Sequence, residues 1–475
     1  MKKIPFIHCF KTYKNYYCYD FNTNAIIKVP KDTYVSLKKL EVGRLDDKDW
    51  NGDETIAMLK AQGFLSSHHW TKIEHPATAL LGCYLKGSIQ SLTLQVTQQC
   101  NLKCEYCPYS GSFYNRSHNN RKMSFEVARK TIDFYFEHSF DVQKAQIGFY
   151  GGEPLIEFEL IKRIVEYCEQ NYKGKKIRYF ITTNATLLDS QKIDFLMKHQ
   201  FVLTVSLDGP RKYHNRNRHR IDDSGSYDIV MENINTLYKN YPEQKENIQF
   251  NCVIDPAADL RCINDFFVND EMLKQYRVLF NNVARDGIKE KDKFLPGDSY
   301  FRQYEYELFK MMYAKYGKVS GIDVSKIVET YFWQIKTTYR NRKISAIQEE
   351  YSHPSGPCIP GVHKLFVDVE GKFYPCEKVC EESKDMVIGD VEHGFDNKQV
   401  NKLLNIGKLT EKQCTNCWCA KYCFLCAVHL EKGQTENVQK KLEQCSNVRE
   451  SIENDFIDYC VLQEINGFDD EVVIM

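Results

Sequence analysis

Three cysteines lie close together in the stretch TQQCNLKCEYCPY, residues 97–109. Gaps of three and two residues separate Cys100, Cys104 and Cys107, and this spacing lets one loop wrap around a corner of a metal cluster. Four thiolates would close a zinc or [4Fe–4S] site, whereas three leave one metal position open to another ligand. The triplet therefore predicts an open iron–sulfur cluster, with a zinc ion that borrows a distant ligand as the alternative.

A second group of cysteines crowds the C-terminal part of the chain. Of the 19 cysteines, ten lie in the last 118 residues, and none lies between Cys262 and Cys358. Disulfides rarely persist in the cytosol, so clustered cysteines indicate metal ligands or redox groups. The scattered cysteines are predicted to be buried small hydrophobic residues: Cys9, Cys18, Cys83, Cys168, Cys252 and Cys262.

Short apolar strands alternate with amphipathic helices through the middle of the chain and must position the triplet. Six such strands are predicted, in the segments SLTLQVT, AQIGFYG, IRYFITTN, FVLTVSLDG, IQFNCVID and YRVLFNNV. This rhythm predicts a parallel sheet with helices outside it. Functional loops then belong at the C-terminal ends of the strands, and both the triplet and the GGEP motif that begins at Gly151 follow a strand.

Four segments follow from these patterns. Residues 1–88 read as a β-hairpin with helices, resembling a winged-helix module, and residues 89–285 form the α/β barrel. Residues 286–350 are predicted to be a helical bridge, and residues 351–475 a cysteine-rich domain.

Composition excludes several classes of partner. The 64 Lys and Arg residues equal the 64 Asp and Glu residues, so charge gives no reason to expect nucleic acid or an anionic membrane surface. No apolar run approaches the length of a membrane span. The N-terminus lacks the apolar core and cleavage site of a signal peptide. A cytoplasmic protein is predicted.

CNLKCEYC, with Tyr106 before its last cysteine, resembles the signature of the radical S-adenosylmethionine (SAM) superfamily, and GGEP supports the likeness. The resemblance implies a partial (β/α)6 barrel in which a [4Fe–4S] cluster on Cys100, Cys104 and Cys107 binds SAM at its open iron. One electron then cleaves SAM, and the 5′-deoxyadenosyl radical abstracts a hydrogen atom. The cofactor supplies this chemistry, and the protein supplies position and a dry cavity.

The same resemblance assigns further SAM contacts. Gly151, Gly152 and Glu153 would receive the SAM ammonium, and Asn184 ends the third strand. Ser206 and Asp208 match the family's ribose contact, and Arg218 matches an arginine near the SAM carboxylate, with Arg216 as its rival. Asn251 and Leu279 are expected to border the adenine.

The C-terminal segments GKFYPC and CTNCWCAKYC resemble the SPASM domain of radical SAM maturases, which carries two auxiliary [4Fe–4S] clusters. The resemblance assigns Cys358, Cys376 and Cys426 to the first auxiliary cluster, with Cys380, Cys419 or an open iron in the fourth place. It assigns Cys414, Cys417, Cys423 and Cys445 to the second. CFLC is one residue shorter than the family's pattern, and a zinc-ribbon-like domain is the alternative. Asp368 and Glu377 are interpreted as solvated surface acids, although either could accept a proton.

Enzymes with a SPASM domain act mainly on peptides or proteins, and many carry an N-terminal peptide-recognition module. Residues 1–88 resemble that module by pattern alone, which implies a precursor peptide whose leader adds a strand to a sheet edge. The resemblance predicts a peptide maturase that installs a crosslink, with a thioether preferred over a carbon–carbon or carbon–oxygen bond. It also implies an electron donor such as flavodoxin or ferredoxin. An anaerobic sulfatase-maturing enzyme and a non-enzymatic iron–sulfur carrier are the rival hypotheses.

Overall fold

The computed structural model describes residues 4–44, 52–114, 116–285, 287–290, 292–315, 324–345, 347–354, 356, 358–429 and 438–466. Parts of the predicted bridge and the end of the predicted C-terminal domain lie outside these residues. The strands are β1 Ile7–Lys11, β2 Tyr16–Asp20, β3 Ala25–Val29, β4 Lys72–Ile73, β5 Ser91–Thr97, β6 Leu102–Cys104, β7 Lys144–Gly151, β8 Lys176–Thr183, β9 Val202–Ser206, β10 Arg218–Arg220, β11 Ile248–Ile254, β12 Arg277–Asn282, β13 Tyr351–Ser352, β14 Leu365–Val367, β15 Lys372–Tyr374, β16 Gly389–Asp390 and β17 Gly394–Phe395.

The helices are α1 Lys31–Glu41, α2 Glu54–Ala61, α3 Leu81–Gly87, α4 Phe125–Glu137, α5 Phe158–Asn171, α6 Ser190–Lys198, α7 Arg211–Asn217, α8 Tyr227–Asn240, α9 Leu260–Asn269, α10 Asp298–Lys315, α11 Lys326–Arg340, α12 Asn397–Leu404, α13 Glu411–Cys414, α14 Val438–Glu443 and α15 Cys445–Asn466. Several begin at a side-chain cap that satisfies free backbone donors. Ser124 accepts a hydrogen bond from the Val127 N–H ahead of α4, and Asp189 accepts one from the Lys192 N–H ahead of α6.

The N-terminal segment forms a three-stranded antiparallel sheet, β1-β2-β3, covered on one face by α1 and α2. Cys9, Cys18, Ile27, Leu37 and Leu59 belong to the apolar cluster on that face. The other face of the sheet packs against α11 and α15. Strands followed by helices are found as predicted, and the winged-helix-like module of residues 1–88 stays a prediction.

Six parallel strands form one side of a ten-stranded sheet, whose order is β12-β11-β9-β8-β7-β5-β14-β15-β16-β17. The six predicted strands are therefore confirmed, and the partial barrel is open. The edge of β5 away from β7 is paired in parallel with β14, where Leu92 lies opposite Leu365. The cysteine-rich domain thus continues the central sheet through its hairpins.

The helices α4 to α9 pack outside the parallel strands, and one large apolar cluster fills the space between them. On α4, the side chains of Ala128, Ile132, Tyr135 and Phe136 are buried, which is the repeat of one helix face. Among the scattered cysteines, Cys83 and Cys262 are exposed, so the prediction that they are buried is wrong. Within the described ranges, no helix has the length and apolarity needed to cross a membrane.

Candidate functional site

The three-cysteine loop follows β5 and folds back over the C-terminal ends of the parallel strands. Cys104 ends the short strand β6, which pairs antiparallel with β10 so that Cys104 lies opposite Arg218. Leu102, Tyr106 and Val283 form a small apolar cluster around the three sulfurs. The loop therefore encloses its thiols in a largely dry pocket.

Burial makes these thiols hard to ionise. It raises the pKa of Cys104 to about 12 and raises the pKa values of Cys100 and Cys107 as well. Three donors face the sulfurs: the Leu102 N–H lies 3.4 Å and the Asn184 amide 3.9 Å from Cys100 Sγ, and the Arg218 guanidinium lies 4.0 Å from Cys104 Sγ. Metal binding deprotonates thiols, so donors aimed at the sulfurs suit thiolate ligands.

The GGE turn lies directly on the backbone that leads into the cysteine loop. Gly151 has φ +139°, and a Cβ there would lie 1.9 Å from the Thr97 carbonyl oxygen. A Cβ on Gly152 would lie 2.1 Å from the Gln99 carbonyl oxygen. Glycine is therefore required at both positions by the close approach of two strand ends.

Glu153 ties the ends of two strands together. Its buried carboxylate accepts hydrogen bonds from Thr183 Oγ1 at 2.7 Å, from the Asn184 N–H at 2.7 Å and from the Leu155 N–H at 3.1 Å. Burial raises the pKa of this carboxyl, and these hydrogen bonds oppose the shift. The side chain of Asn184 then reaches both Asn101, at 2.9 Å, and Cys100. Glu153 thereby positions Asn184 beside the cysteine loop, and its predicted contact with SAM stays a prediction.

Asp208 and Arg218 form a buried ion pair beside Cys104. Arg218 Nε lies 2.9 Å from Asp208 Oδ2, and the same carboxylate accepts from the Tyr106 hydroxyl and, at 3.0 Å, from the Val253 N–H. Tyr106, the aromatic residue of the motif, also lies under the Arg218 guanidinium, whose carbon is 5.4 Å from the ring centre. The pair and the motif thus form one polar network.

His214 contacts the backbone of this ion pair. Its Nδ1 accepts from the Asp208 N–H at 3.3 Å, and its Nε2 lies 3.0 Å from the Ser226 hydroxyl, which donates to the Arg218 carbonyl oxygen. Burial lowers the pKa of His214 to about 4. The neutral ring therefore connects the backbones of both members of the pair, a role that sequence reasoning missed.

The remaining predicted SAM contacts lie at the ends of neighbouring strands. Ser206 is buried at the end of β9 and lies opposite Asn251 on β11, which in turn lies opposite Leu279 on β12. Arg216 instead pairs with Asp255, at 3.3 Å. The fold brings Arg218, and not its rival, to the cysteine loop, and the assigned roles remain predictions.

Five cysteines line one cavity of about 250 Å³ in the C-terminal domain: Cys414, Cys417, Cys419, Cys423 and Cys445. Four of them are the residues predicted to hold the second auxiliary cluster. Cys419 Sγ lies 3.5 Å from Cys417 Sγ, and this contact lowers the pKa of Cys417. Within the described part of the chain, no three His, Cys, Asp or Glu side chains converge as around a single metal ion. Thiols of this number and spacing are the kind of ligand that holds an iron–sulfur cluster.

Cys358, Cys376 and Cys426 lie close enough for the other two thiols to act on the pKa of Cys376, which burial raises to about 11. His429 Nδ1 lies 3.7 Å from Cys426 Sγ and accepts from the Cys426 N–H at 3.2 Å. The sequence pattern that could have predicted this contact is CAVH, in which His429 follows Cys426 by three residues. Of the two thiols predicted as alternatives, Cys419 belongs to the other cavity.

Asp368 and Glu377, the two acids that were predicted to be solvated, both have protein partners in the structure. Asp368 is 6% exposed, and its Oδ1 accepts from the N–H groups of Glu370 and Lys372 at 2.9 Å, which shapes the hairpin between β14 and β15. Glu377 is paired through both oxygens with Lys364 Nζ, at 2.9 Å each. The surface interpretation is wrong for Asp368, and Glu377 is a largely buried, ion-paired group directly after Cys376.

A buried pair connects the first cysteine loop to the C-terminal domain. Arg116 lies 3.0 Å from Glu381, and it also donates to the carbonyl oxygens of Glu377 and Val379. Glu381 accepts from the Gln95 amide on β5 at 2.8 Å. The segment after Cys376 is thereby fixed to the segment after Cys107.

The fold thus places a cysteine loop over the carboxyl ends of six parallel strands, next to a cysteine-lined second domain. Residues 94–256 match the family model described as the radical SAM superfamily. The match identifies this segment of the chain as a radical SAM domain.

Relatives share this domain to different extents. An uncharacterized protein of Methanocaldococcus jannaschii is 37% identical over 121 residues, which cover 26% of this chain and 39% of that protein. A cysteine-type anaerobic sulfatase-maturating enzyme of Clostridium perfringens is 25% identical over 345 residues, covering 68% of this chain and 84% of that enzyme. A solved structure described as native anSMEcpe with bound AdoMet and Cp18Cys peptide has a TM-score of 0.55 and 19% identity, and covers 77% of this chain and 99% of that chain. The structural likeness shows that the fold is shared.

Proposed function

We propose that this protein is a radical SAM peptide maturase that installs an intramolecular thioether in a ribosomally made precursor peptide. The observation that carries the proposal is the open three-cysteine loop beside the Asp208–Arg218 pair, joined by Arg116 to a second cysteine-lined domain. Held on the first loop, a [4Fe–4S] cluster and SAM would supply the radical chemistry that removes a hydrogen atom from the peptide.

The strand ends are suited to holding SAM. Cys100, Cys104 and Cys107 would bind three irons, and Gly151, Gly152 and Glu153 would face the SAM ammonium through the turn after β7. Asn184 would lie beside the cluster, Arg218 would face the SAM carboxylate, Ser206 and Asp208 the ribose, and Leu279 the adenine. The burial of the Asp208–Arg218 pair supports these roles, because charges already held in place lose little freedom on binding.

Cys358, Cys376 and Cys426 would hold the first auxiliary cluster, and Cys414, Cys417, Cys423 and Cys445 the second. Such clusters can take up the electron that a closing carbon radical releases. Glu377, held by Lys364 next to Cys376, would accept the proton of the substrate thiol at its carboxylate. Formation of the thioether then balances. One hydrogen atom would leave to the deoxyadenosyl radical, one proton to Glu377 and one electron to an auxiliary cluster.

The N-terminal sheet offers one free edge for a leader peptide. The β1 edge is covered, because Glu41 Oε2 accepts from the Cys9 N–H at 3.4 Å and Lys38 Nζ donates to the Cys9 carbonyl at 2.9 Å. Ala25–Val29 on the other edge pairs only with β2 among the described residues. A peptide added to β3 would gain main-chain hydrogen bonds along this edge.

A second candidate is an anaerobic sulfatase maturase that forms formylglycine, because the chain aligns with most of the length of a relative so named. A carbon–carbon or carbon–oxygen crosslink is a third outcome of the same radical chemistry. The free β3 edge favours a leader-bearing substrate.

The test first asks whether a small reading frame beside the gene encodes a cysteine-rich peptide. That peptide is then incubated with the anaerobically reconstituted enzyme, SAM and reduced flavodoxin. A loss of two hydrogens per bond together with loss of alkylatable thiols is expected for thioethers. The same mass loss with all thiols free would indicate another crosslink. Oxidation of a sulfatase fragment, with the cysteine-rich peptide unchanged, would support the second candidate.

A further inference from the structure

Lys441 is a buried cation without an acidic partner. It is 4% exposed and lines the five-cysteine cavity. Its ammonium donates to Thr410 Oγ1 at 3.0 Å and to the Ile406 carbonyl at 3.3 Å, and no carboxylate pairs with it in the part of the chain that is described. A lysine is almost never fully buried unless it is paired. An anionic group in the cavity would supply the missing countercharge.

The lysine also orients Thr410 toward a cysteine. Thr410 Oγ1 lies 3.2 Å from Cys414 Sγ, and the threonine is 2% exposed. The hydroxyl oxygen accepts from Lys441, and its hydrogen can be donated either to the Gly407 carbonyl at 3.4 Å or to Cys414 Sγ. A thiolate at Cys414 is the charged acceptor and therefore the stronger one. A charge-assisted donor therefore reaches the cysteine through one intervening hydroxyl.

Cys419 supplies a second donor in the same cavity. It is 1% exposed, and it packs in the apolar cluster that contains Leu425 and Val448. Its sulfur lies 3.5 Å from Cys417 Sγ. Two thiolates on different irons of a cubane stand further apart, because both irons lie between them. Cys419 is therefore placed as an S–H donor to Cys417 rather than as a fifth ligand.

We propose that Thr410, Lys441 and Cys419 raise the reduction potential of the cluster held by Cys414, Cys417, Cys423 and Cys445. Hydrogen bonds to cluster sulfurs and a nearby positive charge stabilise the reduced cluster, which carries one more negative charge. The inference rests on the proposed second auxiliary cluster and gives it the higher potential that an electron acceptor needs.

The experiment is a potentiometric titration followed by electron paramagnetic resonance on the full-length, anaerobically reconstituted enzyme. Thr410→Val keeps the side-chain shape and removes the donor, whereas Thr410→Ser keeps the hydroxyl and serves as the matched control. For Thr410→Val, the ratio of reduced to oxidised second cluster at the wild-type midpoint is expected to fall about tenfold, since a hydrogen bond to a charged group is lost. Thr410→Ser is expected to titrate like the wild type.

Lys441→Met is expected to shift the same midpoint downward, and Lys441→Arg to keep it. Cys419→Ala should lower the midpoint without loss of iron. An unchanged or raised midpoint in both Thr410→Val and Lys441→Met would overturn the inference. Iron loss in Cys419→Ala would make that residue a ligand. A wild-type enzyme that binds iron for the SAM cluster alone would instead overturn the proposed auxiliary clusters.

Discussion

The Arg116 guanidinium lies 3.0 Å from the Glu381 carboxylate, and both side chains are almost fully buried. One residue comes from the loop that follows the first cysteine triplet, and the other from the segment that follows Cys376. A buried ion pair that also carries hydrogen bonds from Tyr109 and Gln95 is a rigid connection. It fixes two proposed cluster sites relative to each other.

Arg116→Met is expected to destabilise the protein by about 3–5 kcal/mol, because Glu381 would be left as a buried, unpaired charge. Thermal unfolding of the reconstituted enzyme measures the effect. Lys130→Met, which breaks an exposed pair with Glu392, is the control and should change stability by less than about 1 kcal/mol. Equal effects of the two substitutions would contradict the prediction.

Asp208→Asn is expected to weaken SAM binding at least about tenfold, because Arg218 and Tyr106 lose their shared carboxylate. Equilibrium dialysis with labelled SAM measures the affinity, and Arg216→Lys, at the exposed neighbouring arginine, should bind like the wild type. If Asp208→Asn kept the wild-type affinity for SAM, the ion pair would not be part of the SAM site.

Gly151→Ala places a Cβ where the Thr97 carbonyl already lies 1.9 Å away, at a positive φ. Backbone strain alone costs on the order of 1–3 kcal/mol, and the clash adds to it. We expect a lower unfolding temperature and reduced iron uptake on reconstitution. Gly174→Ala is the control, because nothing lies within 4 Å of a Cβ there.

Lowering the pH should destabilise the folded protein through protonation of His214. Burial lowers its folded-state pKa to about 4, below the unfolded value of about 6.5, so the unfolded chain binds the extra proton. This contribution is fully present above pH 6.5 and is lost as the pH falls toward 4, which amounts to about 2 kcal/mol by pH 5. His353 also has a pKa lowered to about 4 by burial and acts in the same window.

Unfolding temperatures at pH 7 and pH 5 test this prediction. His214→Asn keeps an acceptor for the Asp208 N–H and removes the titrating group. We expect the variant to lose roughly half of the pH dependence that the two histidines contribute. An unaltered dependence would show that His214 does not titrate differently in the two states.

Local patterns in the sequence predict the strands, the cysteine loop and the GGE turn, because strand periodicity and ligand spacing are properties of neighbouring residues. The partners of Arg116 and Lys441 could not be predicted, since each depends on contacts between residues far apart in the chain. The same reason explains Asp368, whose burial follows from the pairing of β14 with β5.

The pairing of Leu92 with Leu365 has a consequence for any attempt to isolate the catalytic segment. A fragment that ends before the cysteine-rich domain would leave the outer side of β5 with unsatisfied amides and carbonyls along a hydrophobic strand. Such an unpaired strand edge can form hydrogen bonds with strands of other molecules. Truncation should therefore yield a self-associating product rather than a smaller working enzyme.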